Sequence, residues 1–127
     1  MIGHYDRDDA RRRVVITMQG AFQTVDVLAV IDRQRIEGVW SCGLLYDLRA
    51  VIGYPTIEDL RQIMNHVEQS APAERHRGPV AIVATNPILY GMLCTYAALA
   101  RSTLTVDVFR DLDEADRWLV VQAIPGE

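Results

Sequence analysis

The sequence predicts an α/β domain: a mostly parallel sheet of about five strands, with an antiparallel strand at its N-terminal edge, flanked by about four helices. Three observations predict it. Hydrophobic spacing alternates along the chain between a period of two and one near 3.6 residues. The short apolar runs are separated by stretches long enough for crossover helices, which parallel strands require. Helix-start chemistry stands directly after several of those runs, at Thr56, Asn86 and Asp111. At 127 residues, half of them hydrophobic and about a quarter charged, the chain is expected to form a single domain over residues 1–127.

The elements follow in order. Ile2 to Arg7 and Arg12 to Gln19 read as a hairpin turning at Asp8-Asp9-Ala10, with Val14, Ile16 and Met18 on one face. Thr24 is placed to cap a helix whose Val25, Leu28 and Ile31 line one side and which Gly38 ends. Cys42 to Leu48 is too short and too apolar for a helix and reads as a strand buried on both faces, with Arg49 to Pro55 as the loop after it. Thr56, with Asp59 three residues on, starts a second helix lined by Ile57, Leu60, Met64 and Val67 and ended by Pro72. Val80 to Ala84 is the next strand, and Asn86-Pro87 opens a third helix with a cap and an N1 proline. Leu104 to Phe109 is the last strand. Asp111 and Glu114 then begin a helix that packs Leu112, Ala115, Trp118 and Leu119 inward, and the tail after Gln122 is expected to fray.

Composition excludes several functions. The net charge of −4 repels phosphate backbones, so no nucleic-acid partner is expected. The run Arg11-Arg12-Arg13 is offset by Asp6, Asp8 and Asp9 and reads as a solvated strand edge. The chain has no lysine, which removes Schiff-base, P-loop and Ser-Lys chemistry. Cys42 and Cys94 lie in apolar stretches without CxxC spacing and read as reduced thiols. Because MIGHYDRDDARRR lacks the apolar core of a secretory signal, a cytoplasmic location is expected. Gly78 to Ala100 carries no charge, but Thr85-Asn86-Pro87 breaks it, so no membrane span is expected. His4, His66 and His76 show no ligand spacing, Ser41, Ser70 and Ser102 no nucleophile elbow, and no strand is followed by a glycine-rich loop. Neither metal, cofactor nor enzymatic activity is therefore expected.

Ligands of open α/β sheets bind beyond the carboxyl ends of the strands. That rim gathers Asp47, Arg49, Tyr54, Thr56, Thr85, Asn86, Tyr90, Arg110 and Asp111. Asp47, Arg49 and Arg110 either hold a carboxylate or phosphate or tie loops together as an ion pair. Thr56 is either an N-cap or also a phosphorylation site, where added negative charge meets a helix N-terminus. The third helix is apolar nearly all round, through Ile88, Leu89, Met92, Leu93 and Tyr96, so that either a second subunit or an apolar ligand lies against it or Ala97, Ala98 and Ala100 simply tolerate exposure.

With those residues in view, the chain resembles the STAS-like, SpoIIAA-like family of small bacterial α/β domains. The resemblance runs from about Val14 to Leu119. It rests on LLYDLR (Leu44 to Arg49), VAIVATNPILYGMLCTY (Val80 to Tyr96) and VDVFRDLDEADRWL (Val106 to Leu119), the last being the most specific. It implies a regulatory or binding module, without enzymatic activity, acting on a protein partner or as a homodimer. Some anti-anti-sigma members are phosphorylated at the start of the helix after the central strand, near Thr56 here. The Asp-Ser-Ser-Gly acceptor motif of those members is replaced by Pro55-Thr56-Ile57-Glu58. Others resemble lipid-binding CRAL-TRIO folds, which implies the alternative of a carrier or sensor for a small apolar or lipid-like ligand.

Overall fold

Arg13 to Met18 places Val14, Ile16 and Met18 on one face of a strand, all three essentially inaccessible to solvent. That strand is the second of five. A computed structural model of the chain describes residues 2–73 and 76–122. In chain order the elements are β1 (Ile2–Asp8), β2 (Arg13–Ala21), α1 (Thr24–Ile36), β3 (Gly43–Ile52), α2 (Ile57–Ser70), β4 (Val80–Val83), α3 (Pro87–Ala100), β5 (Val106–Phe109) and α4 (Leu112–Val121). They build one mixed sheet of order β1-β2-β3-β4-β5, with β1 antiparallel to β2 and all other pairs parallel.

This strand order dictates where the helices lie. The chain moves one strand along the sheet, in the same direction, at each crossover. Right-handed connections then deposit α1, α2 and α3 on one face. The core on that face joins Ile16, Tyr46 and Ile82 of the sheet to Ile31 of α1, Leu60 of α2 and Leu89 of α3. Among the described residues only α4 covers the other face, where Ala115 and Leu119 pack on Leu45, Ala81 and Val83. Among the described residues no helix is long and apolar enough to cross a membrane.

The expected elements are all present, with five corrections. The strand expected over Cys42 to Leu48 runs instead from Gly43 to Ile52, so the expected loop at Arg49 is still strand. The cause is pairing at a distance: beyond a bulge, Ala50, Val51 and Ile52 pair with Gln19, Gly20 and Ala21. The hairpin turn falls over residues 9–12, with Asp8 still in β1; the Asp8 carboxylate accepts from the Arg11 N–H (3.1 Å) and helps fix that turn. Thr24 is the first residue of α1 and not its cap; the cap position is Gln23, whose side chain does not cap the helix. Val25 and Ile57 face outward, at 65% and 54% exposure, because the inward stripe of α1 is Val30, Ile31 and Gln34, and that of α2 is Leu60, Ile63 and Val67. Finally, β5 begins at Val106, since the Leu104 N–H still closes the end of α3 on Ala100. The expected caps at Asn86 and Asp111 hold, Gly38 follows α1 with φ 73°, and the tail beyond Gln122 lies outside the described residues.

Candidate functional site

Two places in this fold gather polar chemistry, one at each end of the strands. At the carboxyl end, β3 outruns β4: the last paired residues are Asp47 and Val83, so Leu48 to Ile52 stand above the rim, paired only with β2. At the bulge, Leu48 and Arg49 lie opposite the single β2 residue Met18. Arg49 folds back on Asp47 with Nε at 2.9 Å and Nη2 at 2.9 Å, and its backbone N–H donates to the same carboxylate at 3.2 Å. The Arg49 guanidinium holds the Asp47 carboxyl below its usual range, against the opposing effect of burial.

Asp47→Asn is accordingly expected to weaken the fold most near neutral pH. A depressed carboxyl pKa contributes stability above the ordinary value, about 4, and loses it as the pH falls through the folded-state value. Urea unfolding of both proteins should therefore show a gap at pH 7 that closes towards pH 3. A gap independent of pH would assign the effect to packing instead.

Thr56 is where the sequence places it and forms the full capping box. Its Oγ1 accepts from the Asp59 N–H (3.0 Å) and its own N–H donates to Asp59 Oδ2 (2.8 Å). The Thr56 N–H first, and to a smaller extent the Thr24 hydroxyl at the start of α1, hold the Asp59 carboxyl below its usual range. Asn86 Oδ1 accepts from the N–H groups of Ile88 and Leu89, and Asp111 Oδ1 from those of Asp113 and Glu114. The Arg110 guanidinium lies over the Tyr90 ring at 4.3 Å. Asp47 and Arg49 are thus brought together, with Asp111 close enough to Arg49 to act on it electrostatically. Arg110 is turned to the aromatic ring.

The third helix divides its apolar residues between two sides. Leu89, Leu93 and Tyr96 point into the core, and Met92 is half-buried, so these do not form one interface with Ile88, which is exposed together with Leu99. The reason is the 3.6-residue turn, which sets Leu89, Leu93 and Tyr96 against the sheet and Ile88 opposite.

A cavity of about 60 Å³ lies under α1, α2 and α3. It reaches from Phe22, Leu48 and Pro55, near the carboxyl ends of the strands, to Val80, Leu104 and Arg77 at the amino ends. Sequence reasoning missed this second place. Arg77 stacks on the Trp40 ring at 4.2 Å and its Nη1 donates to Gln34 Oε1 at 2.6 Å. Burial lowers the pKa of Arg77, and burial likewise raises those of Tyr46 and Tyr96 beside it. Gln34 is itself only 2% exposed. Its one legible signal was a polar residue on the inward stripe, three places after Ile31; nothing local marks Arg77.

With this geometry in hand, the class is plain: the chain has the fold of the anti-sigma factor antagonists, the SpoIIAA or STAS fold. An anti-sigma factor antagonist from Mycobacterium paratuberculosis superposes with a TM-score of 0.58 at 18% identity, covering 92% of this chain and 93% of that one. The protein TM1081 follows at 0.56 and 13% identity, over 93% and 88% of the two chains. SpoIIAA in its unphosphorylated form gives 0.53 and 13% identity, over 94% and 98%. No family model matches the chain, and no curated protein matches it.

Proposed function

We propose that the chain is a non-enzymatic regulatory module that works through protein contacts made at the carboxyl end of its sheet, with an anti-sigma factor as the class of partner. The observation that carries this reading is a cluster of large apolar side chains left in water there. Ile52 is 70% exposed and Tyr54 54%, and Val25 and Ile57, in the first turns of α1 and α2 at the same end of the sheet, are exposed as well. Exposed apolar clusters of this kind mark interaction surfaces. The rim's charged groups support the same reading, because they are engaged locally, Asp47 with Arg49 and Asp111 with its own helix, as structural pairs and caps. Two solved neighbours are SpoIIAA in unphosphorylated and phosphorylated forms, which supports Thr56, exposed within the cluster, as a phosphate acceptor. A phosphate on Oγ1 would displace its bond from the Asp59 N–H and set new negative charge beside Glu58 and Asp59, so modification would remodel this surface.

Binding of the purified chain to the anti-sigma factors of its own genome tests the reading. One of them should bind. Ile57→Asp and Tyr54→Ala should each weaken that complex by roughly tenfold or more, as loss of a buried apolar anchor does, with the circular dichroism spectrum unchanged. Thr56→Ala should cost about 1 kcal/mol of stability through the lost cap. If no anti-sigma factor binds, or the complex ignores both surface substitutions, the reading is wrong. A homodimer is the other form such a contact takes, and sedimentation over a range of concentrations distinguishes it.

The cavity favours a second reading, a carrier or sensor of a small apolar ligand held between the sheet and the three helices, since its lining is almost wholly hydrocarbon.

A further inference from the structure

We propose that the cavity beneath α1, α2 and α3 is a site for a short-chain carboxylate, whose hydrocarbon part lies against Met18, Ile31 and Leu93 and whose carboxylate meets Arg77. This inference rests on the ligand reading of the cavity and adds to it the charge and size of the occupant.

Charge comes first. Arg77 is a cation lining an apolar space, and among the described residues no carboxylate is paired with it. Its partners are all neutral: the Gln34 amide oxygen, the face of Trp40 and the Tyr46 side chain. Arg77 is half-buried, and a guanidinium partly withdrawn from water gains from a counter-ion. One neighbour adds to the imbalance, because the buried Trp40 Nε1 has no hydrogen-bond partner among the described residues. It does not line the cavity, but with Arg77 it leaves two donor groups at this end of the core that no carboxylate among the described residues meets. A single anion corrects that, and a planar carboxylate matches the guanidinium fork.

Size and polarity then narrow the class. The lining offers one cation and no second, so a monoanion fits better than a phosphate dianion. A void of about 150 Å³ takes up benzene, whereas about 60 Å³ is present here, so the buried part is only a few heavy atoms long. The carboxylate end of the site lies at the amino ends of β3 and β4, while its apolar lining extends to Leu48 and Pro55, below the proposed protein-contact surface. Occupancy would fill a void under α1 and α2 and so stiffen the two helices that carry Val25 and Ile57.

The test titrates the full chain with butyrate and isobutyrate, and with 1-butanol and isobutanol as neutral counterparts, following melting temperature and methyl NMR shifts. A ligand that binds only the folded state must raise the melting temperature. The carboxylates should bind roughly tenfold tighter than the alcohols or better, as a charge-assisted pair predicts, with shifts at Met18, Ile31 and Leu93. In Arg77→Met, which keeps an apolar chain over Trp40, the two classes should bind alike. Equal binding of acid and alcohol to the wild-type chain overturns the carboxylate assignment while leaving the ligand reading intact. Binding of neither, or shifts confined to surface methyls, overturns both. The wild-type comparison decides even if Arg77→Met does not fold.

Discussion

Replacing Gly78 by alanine is expected to be among the most damaging single-methyl changes available in this chain. A Cβ built there would sit 2.1 Å from the Cys42 carbonyl oxygen and 2.6 Å from that of Ser41. Both are backbone atoms, so no rotamer change relieves the clash. The two segments cannot simply part, because they are joined on either side. The Gly78 N–H donates to the Trp40 carbonyl at 3.1 Å, and the Leu44 N–H to that of Pro79 at 2.8 Å. The Ser41 hydroxyl donates to the His76 carbonyl at 2.9 Å. Gly78→Ala must break this crossing, at a cost of about 4 kcal/mol or more, in the range reserved for gross steric or core damage. The melting temperature should fall by on the order of 15 °C. A variant melting within a few degrees of the parent would show that the two segments do not approach this closely. The same crossing sets Arg77 over Trp40, so any Gly78→Ala protein that folds should also lose the carboxylate preference of the cavity.

Trp40 supplies the second large effect and an internal control. It is 2% exposed and packs in the main core. Trp40→Ala should cost about 3–5 kcal/mol, the usual loss for emptying a large aromatic site. Trp40→Phe should cost far less than that. The indole Nε1 has no hydrogen-bond partner, so removing it relieves a buried donor while the ring that supports Arg77 is retained. Urea unfolding midpoints at constant slope measure both. If the phenylalanine variant were as damaged as the alanine one, the indole nitrogen would have to be making a bond essential to the fold.

The two ends of the molecule differed in how far they could be read in advance. Rim residues were legible because their chemistry is local. Thr56 meets Asp59 three residues away, Asn86 meets Ile88 and Leu89, and Asp47 meets Arg49 two residues on. What was misjudged at the rim was the length of β3. The strand goes on past Leu48 only because Gln19 to Ala21, nearly thirty positions back, offer it a ladder. The exposed cluster of Ile52, Tyr54, Val25 and Ile57 emerges from that extension and from the rotation of α1 and α2 about their axes. Apolar spacing alone had turned Val25 and Ile57 inward.

By itself, the order of apolar runs and caps determined the alternation of strands and helices, the antiparallel first strand and the starts of α2, α3 and α4. Each of these is fixed by side chains within a few residues of one another, where periodicity and capping act. Only the tertiary structure decided that three helices share one face, that a void remains beneath them, and that Arg77 reaches Gln34 across 43 residues of chain. Those outcomes depend on which strand lies beside which and on how closely two backbones cross at Gly78, and contacts between distant segments leave no period in the sequence.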